Sequence, residues 1–141
     1  MKIYDCEGLI LGRAATQIAK EIIKGEEVAV VNCEKMLISN PEFAEKRYKQ
    51  KRSLQYKADP EKSPKYPKIP HLFVKKSISG MVPRKKMKGR NALKKLMVYE
   101  GVPEEFKGKE MLSIEAAKVK NEDVKYITVY ELCKKLGWNN A

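Results

Sequence analysis

The sequence feature that most constrains the fold is a run of four apolar residues, Val28–Val31, behind an amphipathic segment. A short run without any polar position is typical of a strand that is buried on both faces of a sheet. Residues 2–6 also have the composition of a short strand. Between the two strands, apolar residues recur at helical spacing and cover one half of a helical wheel, namely Ala14, Ala15, Ile18, Ala19, Ile22 and Ile23. Strand, helix and buried strand within about 30 residues predict a βαβ unit, and hence a parallel sheet with a right-handed crossover.

A second helix is predicted over residues 41–53. Asn40, Pro41 and Glu42 form a typical helix start, with a capping residue, a proline at the first position and an acid in the first turn. Only three positions of this helix are apolar, whereas five Lys or Arg residues lie on several of its sides. A helix that is polar nearly all round needs support from outside its own surface, and phosphate groups would supply that support.

Two shorter helices are predicted on either side of Pro83. The first covers residues 71–81, and its apolar face comprises Val74, Ile78 and Met81. The second covers residues 90–97, with Arg90, Lys94 and Lys95 outward and with an inward face of Ala92, Leu93, Leu96 and Met97. A short strand at residues 98–99 is predicted to follow it.

The end of the chain contains one more helix signal. Thr128 and Glu131 have the spacing of a capping box, and Gly137 is placed to close the helix that follows. For residues 36–38 two interpretations stay open, since this apolar segment either extends the sheet or leads out of it.

The positive charge of the chain is concentrated in its middle, and the net formal charge is +12. Residues 46–68 hold nine Lys or Arg and two Asp or Glu, whereas residues 69–95 hold nine and none. The flanking segments, 1–45 and 96–141, carry net charges of only −3 and −1. A uniformly basic stretch repels itself unless a polyanion lies against it, so this pattern indicates a nucleic-acid partner. An anionic membrane surface is the main alternative.

Length and composition limit the remaining classes. A chain of 141 residues is expected to form one domain with a real core. We expect an α/β core from about 1–40 and 96–141 and a basic RNA-binding region at 46–95. No run of 18 apolar residues is present, so no membrane span is predicted. The N-terminus also lacks the apolar stretch of a secretory signal.

Candidates for catalysis or metal binding are few. Gly8 and Gly12 bracket a turn before the first helix, but a Walker loop needs four residues between its glycines and a following Lys-Ser/Thr. His71 is the only histidine, and its nearest acids in the sequence are Asp59 and Glu61, in a proline-rich loop. The three cysteines lack a C-x-x-C pair for zinc and fit buried free thiols in a reducing cytosol: Cys6, Cys33 and Cys133.

Residues 57–70 contain four prolines among four lysines and are predicted to form an extended loop. A disordered linker is the open alternative for the free protein, and binding to a nucleic acid would then order it. Four aromatic residues lie among the basic ones in and around this loop. We expect Tyr48 and Phe73 to help close the core, and Tyr56 and Tyr66 to stack on unpaired bases.

The most specific segment joins the two short helices at residues 80–90. This turn holds five basic residues, Arg84, Lys85, Lys86, Lys88 and Arg90. Pro83 fixes the chain where the first helix stops, and the glycines at both ends are expected to let the backbone approach a partner closely. A rigid basic turn between apolar-faced helices suits docking onto folded RNA by shape and phosphate contacts.

Residues 78–101, ISGMVPRKKMKGRNALKKLMVYEG, resemble the signature of the L-thirteen family of large-subunit ribosomal proteins. Two further segments are similar to that family and stand in the same order, DCEG with LGRA in residues 5–14 and VVNCEK in residues 30–35. The short link before Val28, the proline-rich insert and the end of the chain at Leu136-Gly137-Trp138 resemble the archaeal and eukaryotic branch. Ser79 departs from the pattern, because relatives often have Arg or Lys there, and the tail from about residue 104 matches weakly.

The resemblance implies a three-layer α/β/α fold with a small, mainly parallel sheet and a basic helical and loop extension. It implies a cytoplasmic structural protein that binds large-subunit (23S-type) ribosomal RNA, contacts neighbouring ribosomal proteins and supports subunit assembly and translation. It implies no catalytic activity, no cofactor and no small-molecule substrate.

The expected RNA contacts follow from charge and position. They are the basic residues of the turn and beside it, and then those of the second helix and the loop: Arg84, Lys85, Lys86, Lys88, Arg90, Lys75, Lys76, Lys94, Lys95, Arg47, Lys51, Arg52, Lys57, Lys65 and Lys68. Arg13 is a further candidate for a phosphate contact, and Tyr56 and Tyr66 for stacking. Two rival functions stay open, a nucleotide-using or RNA-processing enzyme and a peripheral membrane protein, although the only tryptophan, Trp138, lies far from the basic block.

Overall fold

The computed structural model describes residues 1–139, which form five α-helices and five strands. The strands are β1 (Lys2–Asp5), β2 (Val28–Val31), β3 (Leu37–Ser39), β4 (Leu96–Val98) and β5 (Tyr126–Thr128). The helices are α1 (Leu11–Ile23), α2 (Pro41–Ser53), α3 (Pro70–Ser79), α4 (Met87–Lys94) and α5 (Val129–Lys135).

The main sheet has the strand order β1-β2-β4 and is parallel throughout. Ala29 in the central strand pairs with Ile3 on one side and Met97 on the other. All four residues of β2 are buried, as expected for a central strand covered on both faces. The predicted βαβ unit with its parallel sheet is therefore confirmed.

Helices cover one face of this sheet and a thinner layer covers the other, so the predicted α/β fold is confirmed. Val28 and Val30 belong to the main core, together with the apolar sides of α1, α3, α4 and α5. Ala29 and Val31 point to the opposite face and pack in a smaller core with Phe106, which lies in a single 3-10 turn.

The basic region also supplies part of the main core. Phe73, Val74 and Ile78 of α3 are fully buried, and Ala92 of α4 is 4% exposed. The structure thus refines the expected division of the chain, since residues 70–95 bury apolar side chains on one side and present cations on the other.

The α4–β4 junction differs from the sequence prediction. Residues 90–97 were predicted to be helical, but α4 covers Met87–Lys94 and Leu96 begins β4. Leu96 and Met97 fit a helical apolar face equally well, yet they pair with Val28 and Ala29 of the central strand. Pairing with β2 buries Leu96. It also gives hydrogen-bond partners to backbone groups of β2 that would stay unpaired if residues 96–98 continued the helix.

Smaller corrections concern single residues. Met81 was predicted to face inward, but α3 ends at Ser79 and Met81 is 44% exposed. Asn40 precedes α2 as predicted, but its side chain makes no capping hydrogen bond and its backbone is left-handed, with φ of 54°. Thr128, in contrast, accepts a hydrogen bond from the N–H of Glu131 at 3.2 Å, which confirms the cap of α5.

Residues 36–38 lead out of the parallel sheet. Leu37, Ile38 and Ser39 pair in antiparallel register with β5 and form a separate two-stranded sheet. Within the described part of the chain, no helix has the length and apolar character needed to cross a bilayer.

Candidate nucleic-acid interface

The basic turn at residues 80–90 is held together by its own backbone. A Cβ atom added to the buried Gly89 would overlap the carbonyl oxygen of Pro83 and lie 3.1 Å from the backbone nitrogen of Arg84. The close approach that we expected a glycine to allow therefore occurs within the chain, where the first turn of α4 packs on the Pro83–Arg84 peptide. A glycine is required here for packing, because a larger residue would push the turn away from the helix.

Arg90 adds a second constraint on the same turn. Its Nε donates to the carbonyl of Arg84 at 3.3 Å, and an Nη donates to the carbonyl of Lys85 at 3.1 Å. The guanidinium group thus spans the turn from the side of α4. The side chains of Arg84, Lys85 and Lys86 are all exposed, so a fixed backbone presents three cations to solvent.

A second group of cations lies where α2 approaches α3, and it comprises Arg47, Lys51 and Lys76. Burial, and then the positive charges of Arg47 and Lys76, hold the pKa of the Lys51 ammonium below its ordinary value. The same ammonium lies 5.2 Å from the ring centroid of Tyr48 and 5.0 Å from that of Tyr66. Lys51 therefore makes cation–π contacts inside the protein while it lies beside two other predicted RNA contacts.

The aromatic residues form a cluster beneath Lys51. The ring centroids of Tyr48, Tyr66 and Phe73 lie 4.8–5.4 Å apart in tilted or edge-to-face pairs. The predicted packing of Tyr48 and Phe73 is confirmed. Tyr66 was predicted to stack on bases, but it shares this cluster, whereas Tyr56 is 57% exposed.

Several predicted RNA contacts have partners within the protein. Arg52 donates to the backbone carbonyl of Tyr66 and thereby ties the end of α2 to the proline-rich loop. Lys95 is half-buried, and its Nζ donates to the carbonyl of Gly25 at 2.9 Å. Lys76 is also half-buried. The remaining cations of the set are exposed: Arg13, Arg47, Lys57, Lys65, Lys68, Lys75, Lys88 and Lys94.

One side-chain contact at the edge of this surface was not foreseen. His71 Nδ1 lies 2.8 Å from Glu100 Oε1, although the two residues are 29 positions apart. Asp59 and Glu61 are the nearest acids to His71 in the sequence. Asp59 accepts a hydrogen bond from the N–H of Glu61 and pairs with Lys62, so its contacts lie within its own loop.

All three cysteines lie in the main core. Cys6, Cys33 and Cys133 are buried free thiols, as predicted. Burial raises the pKa of Cys6 and Cys133 to about 12 and that of Cys33 further, which disfavours the reactive thiolate. In residues 1–139, no three His, Cys, Asp or Glu side chains converge where a metal ion could bind.

Gly8 lies in the turn that leads into α1, whereas Gly12 lies in the first turn of the helix itself. Gly8 has a φ of 72°, its N–H donates to the carbonyl of Lys35 at 3.2 Å, and α1 begins three residues later. This arrangement agrees with a tight turn that seats the first helix. Arg13 lies exposed in the first turn of that helix.

Fold and charge together define a class, a small α/β protein with an apolar core and a strongly basic segment at residues 46–95, whose exposed cations we call the basic face. Clustered positive charge of this kind is typical of nucleic-acid-binding proteins. Residues 1–105 match the family described as ribosomal protein L13. The large ribosomal subunit protein uL13 of Sulfurisphaera tokodaii is 44% identical over 137 residues, which cover 96% of this chain and 93% of the relative. The chain belongs to the ribosomal protein L13 family.

Two other archaeal relatives extend the comparison over nearly the whole chain. The uL13 protein of Archaeoglobus fulgidus is 39% identical over 143 residues, which cover 99% of this chain and 89% of the relative. That of Methanocaldococcus jannaschii is 39% identical over 139 residues, with 97% and 98% covered. The predicted archaeal-type branch is confirmed, and the predicted non-enzymatic character and cytoplasmic location agree with membership of this structural family.

Proposed function

We propose that this protein is a structural constituent of the large ribosomal subunit and binds large-subunit ribosomal RNA through residues 46–95. In this role it supports subunit assembly and translation, folds as a single domain and meets neighbouring ribosomal proteins elsewhere on its surface. The names of its relatives, large ribosomal subunit protein uL13, support a place in the large subunit. The exposed cations of residues 46–95 support the RNA contact.

The observation that carries the proposal is the turn of Arg84, Lys85 and Lys86. These three consecutive cations are exposed, and no Asp or Glu occurs between residues 69 and 95. Gly89 and Arg90 fix the backbone beneath them. Exposed cations without a paired acid gain most from a polyanion, because binding releases the counterions of several phosphates at once.

The cations of α2 and α3 enlarge this surface. Arg47 and Lys76 lie close enough to Lys51 to lower its pKa, so the second helix contributes to the same positive field. Lys51, Arg52, Arg90 and Lys95 already have partners within the chain. For these four we propose a dual role, in which each holds the backbone and adds to the potential that attracts RNA.

The first test is reversal of the turn. The variant Arg84→Glu/Lys85→Glu/Lys86→Glu should keep its circular-dichroism spectrum and melting curve, because all three side chains are exposed. Its binding to large-subunit ribosomal RNA should weaken. The negative slope of log K against log salt should become shallower by about three units, one per lost phosphate contact.

The matched control reverses three exposed cations outside the basic face, in Lys107→Glu/Lys109→Glu/Lys120→Glu. It changes the net charge by the same amount and should retain most of the affinity and the salt slope. Equal losses in both variants would mean that net charge alone attracts RNA and would overturn the assigned surface.

The ribosomal role is tested separately by sedimentation of native lysate. The protein should travel with the large subunit and stay there at moderate salt, since many phosphate contacts act together. Migration at the top of the gradient under every condition would contradict the proposal.

A further inference from the structure

An open groove of about 390 Å³ lies on the outer face of α3. Four residues of that helix at positions i, i+3, i+4 and i+7 form its floor, namely Leu72, Lys75, Lys76 and Ser79. Pro67 from the preceding loop, Arg84 from the basic turn and Leu93 from α4 complete the lining. The volume lies at the lower end of the range for small-molecule sites.

The chemistry of the groove is mixed in a specific way. Leu72, Leu93 and Pro67 supply apolar surface, and Leu72 is 40% exposed. Lys75, Lys76 and Arg84 supply three positive charges, while no acid lines the groove. The Ser79 hydroxyl donates to the carbonyl of Lys76 at 2.8 Å, so it is turned towards the helix backbone and the groove stays open above it.

We propose that this groove receives the base of one unpaired RNA nucleotide, while the three cations contact the phosphates on either side of it. The inference rests on the proposed RNA-binding function and specifies which form of RNA the surface prefers. A base has apolar faces and is flanked by two anions, and it therefore matches a site with apolar walls and cationic edges. The Arg84 guanidinium offers in addition a planar group on which a base can stack.

Charge decides between this occupant and an apolar side chain of another protein. An apolar side chain in the groove would take water away from three cations without offering them an anion, which costs free energy. A nucleotide removes the same water and supplies the phosphates. No acid in the lining could neutralise the three cations, so an occupant that carries phosphates is favoured over one that carries no negative charge.

The test compares three RNA probes that differ at one position, a continuous duplex, the same duplex with one bulged nucleotide, and the same bulge without its base. The full-length protein should bind the bulged duplex at least about fivefold more tightly than the continuous one, as expected for one stacked base. The abasic bulge should bind like the continuous duplex. This probe separates recognition of the base from a response to a bent backbone.

Two variants test the groove itself. Leu72→Gln places a polar group in the lining at an exposed helical position, so it should abolish the preference for the bulge and leave duplex affinity unchanged. Met87→Gln is the matched control, because Met87 is a 66% exposed apolar residue of the same basic segment and does not line the groove. It should keep the preference.

Ser79→Lys should separate affinity for the duplex from preference for the bulge. The longer side chain would occupy the groove and add a cation, so duplex affinity should hold or rise while the preference for the bulge disappears. Because Ser79 is only 9% exposed, melting curves are needed to show whether the variant folds. If it does not fold, Leu72→Gln alone tests the groove.

The outcomes separate the two proposals. Equal affinity of the wild type for all three probes would overturn the nucleotide site and leave RNA binding intact. Failure to bind any of them, or the ribosomal RNA, would overturn the proposed function itself. An unchanged bulge preference in both groove variants would assign the groove to another occupant, such as a neighbouring protein.

Discussion

Helices α1 and α2 have the same length, 13 residues, but opposite relations to the rest of the molecule. α1 buries Leu11, Ala14, Ala15, Ile18, Ala19 and Ile22, whereas the only buried residue of α2 is Ala44. Most helical stability in proteins comes from packing of an apolar face. α1 therefore belongs to the core, and α2 needs another reason to stay folded and in place.

Contacts at its middle supply part of that reason. Tyr48 packs against Tyr66 and Phe73, and Glu45 reaches Lys135 of α5 at 3.5 Å. Most of the remaining surface of α2 is exposed and basic. The comparison shows that two helices of equal length are held in different ways: α1 by an apolar face buried in the core, and α2 by a few side-chain contacts that leave most of its basic surface exposed.

The largest expected difference is in stability. Ile18→Ala in α1 removes a side chain that is fully buried, and it should lower the free energy of unfolding by about 2–5 kcal/mol. Phe43→Ala in α2 removes a larger side chain that is 60% exposed, and it should change that free energy by no more than about 0.5 kcal/mol. Urea denaturation followed by circular dichroism measures both. Similar losses in the two variants would refute the contrast.

The second prediction concerns the attachment of α2. Tyr48→Ala should destabilise the protein by about 1–3 kcal/mol, because it removes two aromatic contacts from a partly buried site. Alanine is a better helix former than tyrosine, so the loss would come from packing and not from propensity.

Hydrogen exchange locates that effect. Amides of α2 should exchange faster in Tyr48→Ala, while amides of α1 keep their protection. Tyr56→Ala, at a 57% exposed position, is the matched control and should leave both helices unchanged. Faster exchange spread evenly over both helices would mean that α2 is an ordinary part of the core.

The third prediction concerns RNA binding. Arg47→Gln in α2 should weaken binding to ribosomal RNA several-fold and reduce the salt slope by about one unit. Lys20→Gln removes an exposed cation from α1 and should leave both quantities unchanged. Titrations at several salt concentrations measure both quantities, and an equal loss from Lys20→Gln would contradict a special role of α2 in RNA binding.

The smallest effect on stability is expected from the surface ion pairs, which α1 and α2 have in common. Glu21 of α1 pairs with Lys2 at 2.6 Å and with Lys24, and Glu45 of α2 pairs with Lys49 at 2.6 Å and with Lys135. These partners, Lys2 and Lys49 first, hold the pKa of each carboxyl below its ordinary value. A lowered pKa in the folded state means that each carboxylate stabilises the fold above about pH 4.3 and loses this effect as the pH falls further.

Glu21→Gln and Glu45→Gln should each lower the melting temperature at pH 7 by at most about 3 °C, as expected for ion pairs at the surface. The difference from the wild type should shrink as the pH falls below about 4.3 and the wild-type carboxylates take up protons as well. A difference that grows on acidification would show that the sign of the pKa shift is wrong.

The sequence was sufficient for several elements that neighbouring residues decide, although the predicted side-chain cap at Asn40 does not form. The periodicity of α1 and the apolar run of β2 predicted the βαβ unit, and Thr128 predicted the cap of α5. Leu96 and Met97 were misassigned because their spacing suits a helix and a strand, and only the central strand, about 68 positions away in register, selects the strand.

The candidate site was predictable in charge but not in its contacts. The count of cations identified residues 46–95 as the basic region. That Lys51 lies near the ring of Tyr66 and that Glu100 meets His71 depends on distances between separate elements. No spacing along the chain encodes such contacts, since each follows from how helices pack on the sheet.

The contacts that Gly89 and Arg90 make with the basic turn lie entirely within the chain. The turn therefore takes its shape when the protein folds, without help from a partner. If RNA is the partner, as proposed, its association with this turn would need no slow ordering step, and the association rate would depend on electrostatic attraction and fall steeply as salt increases.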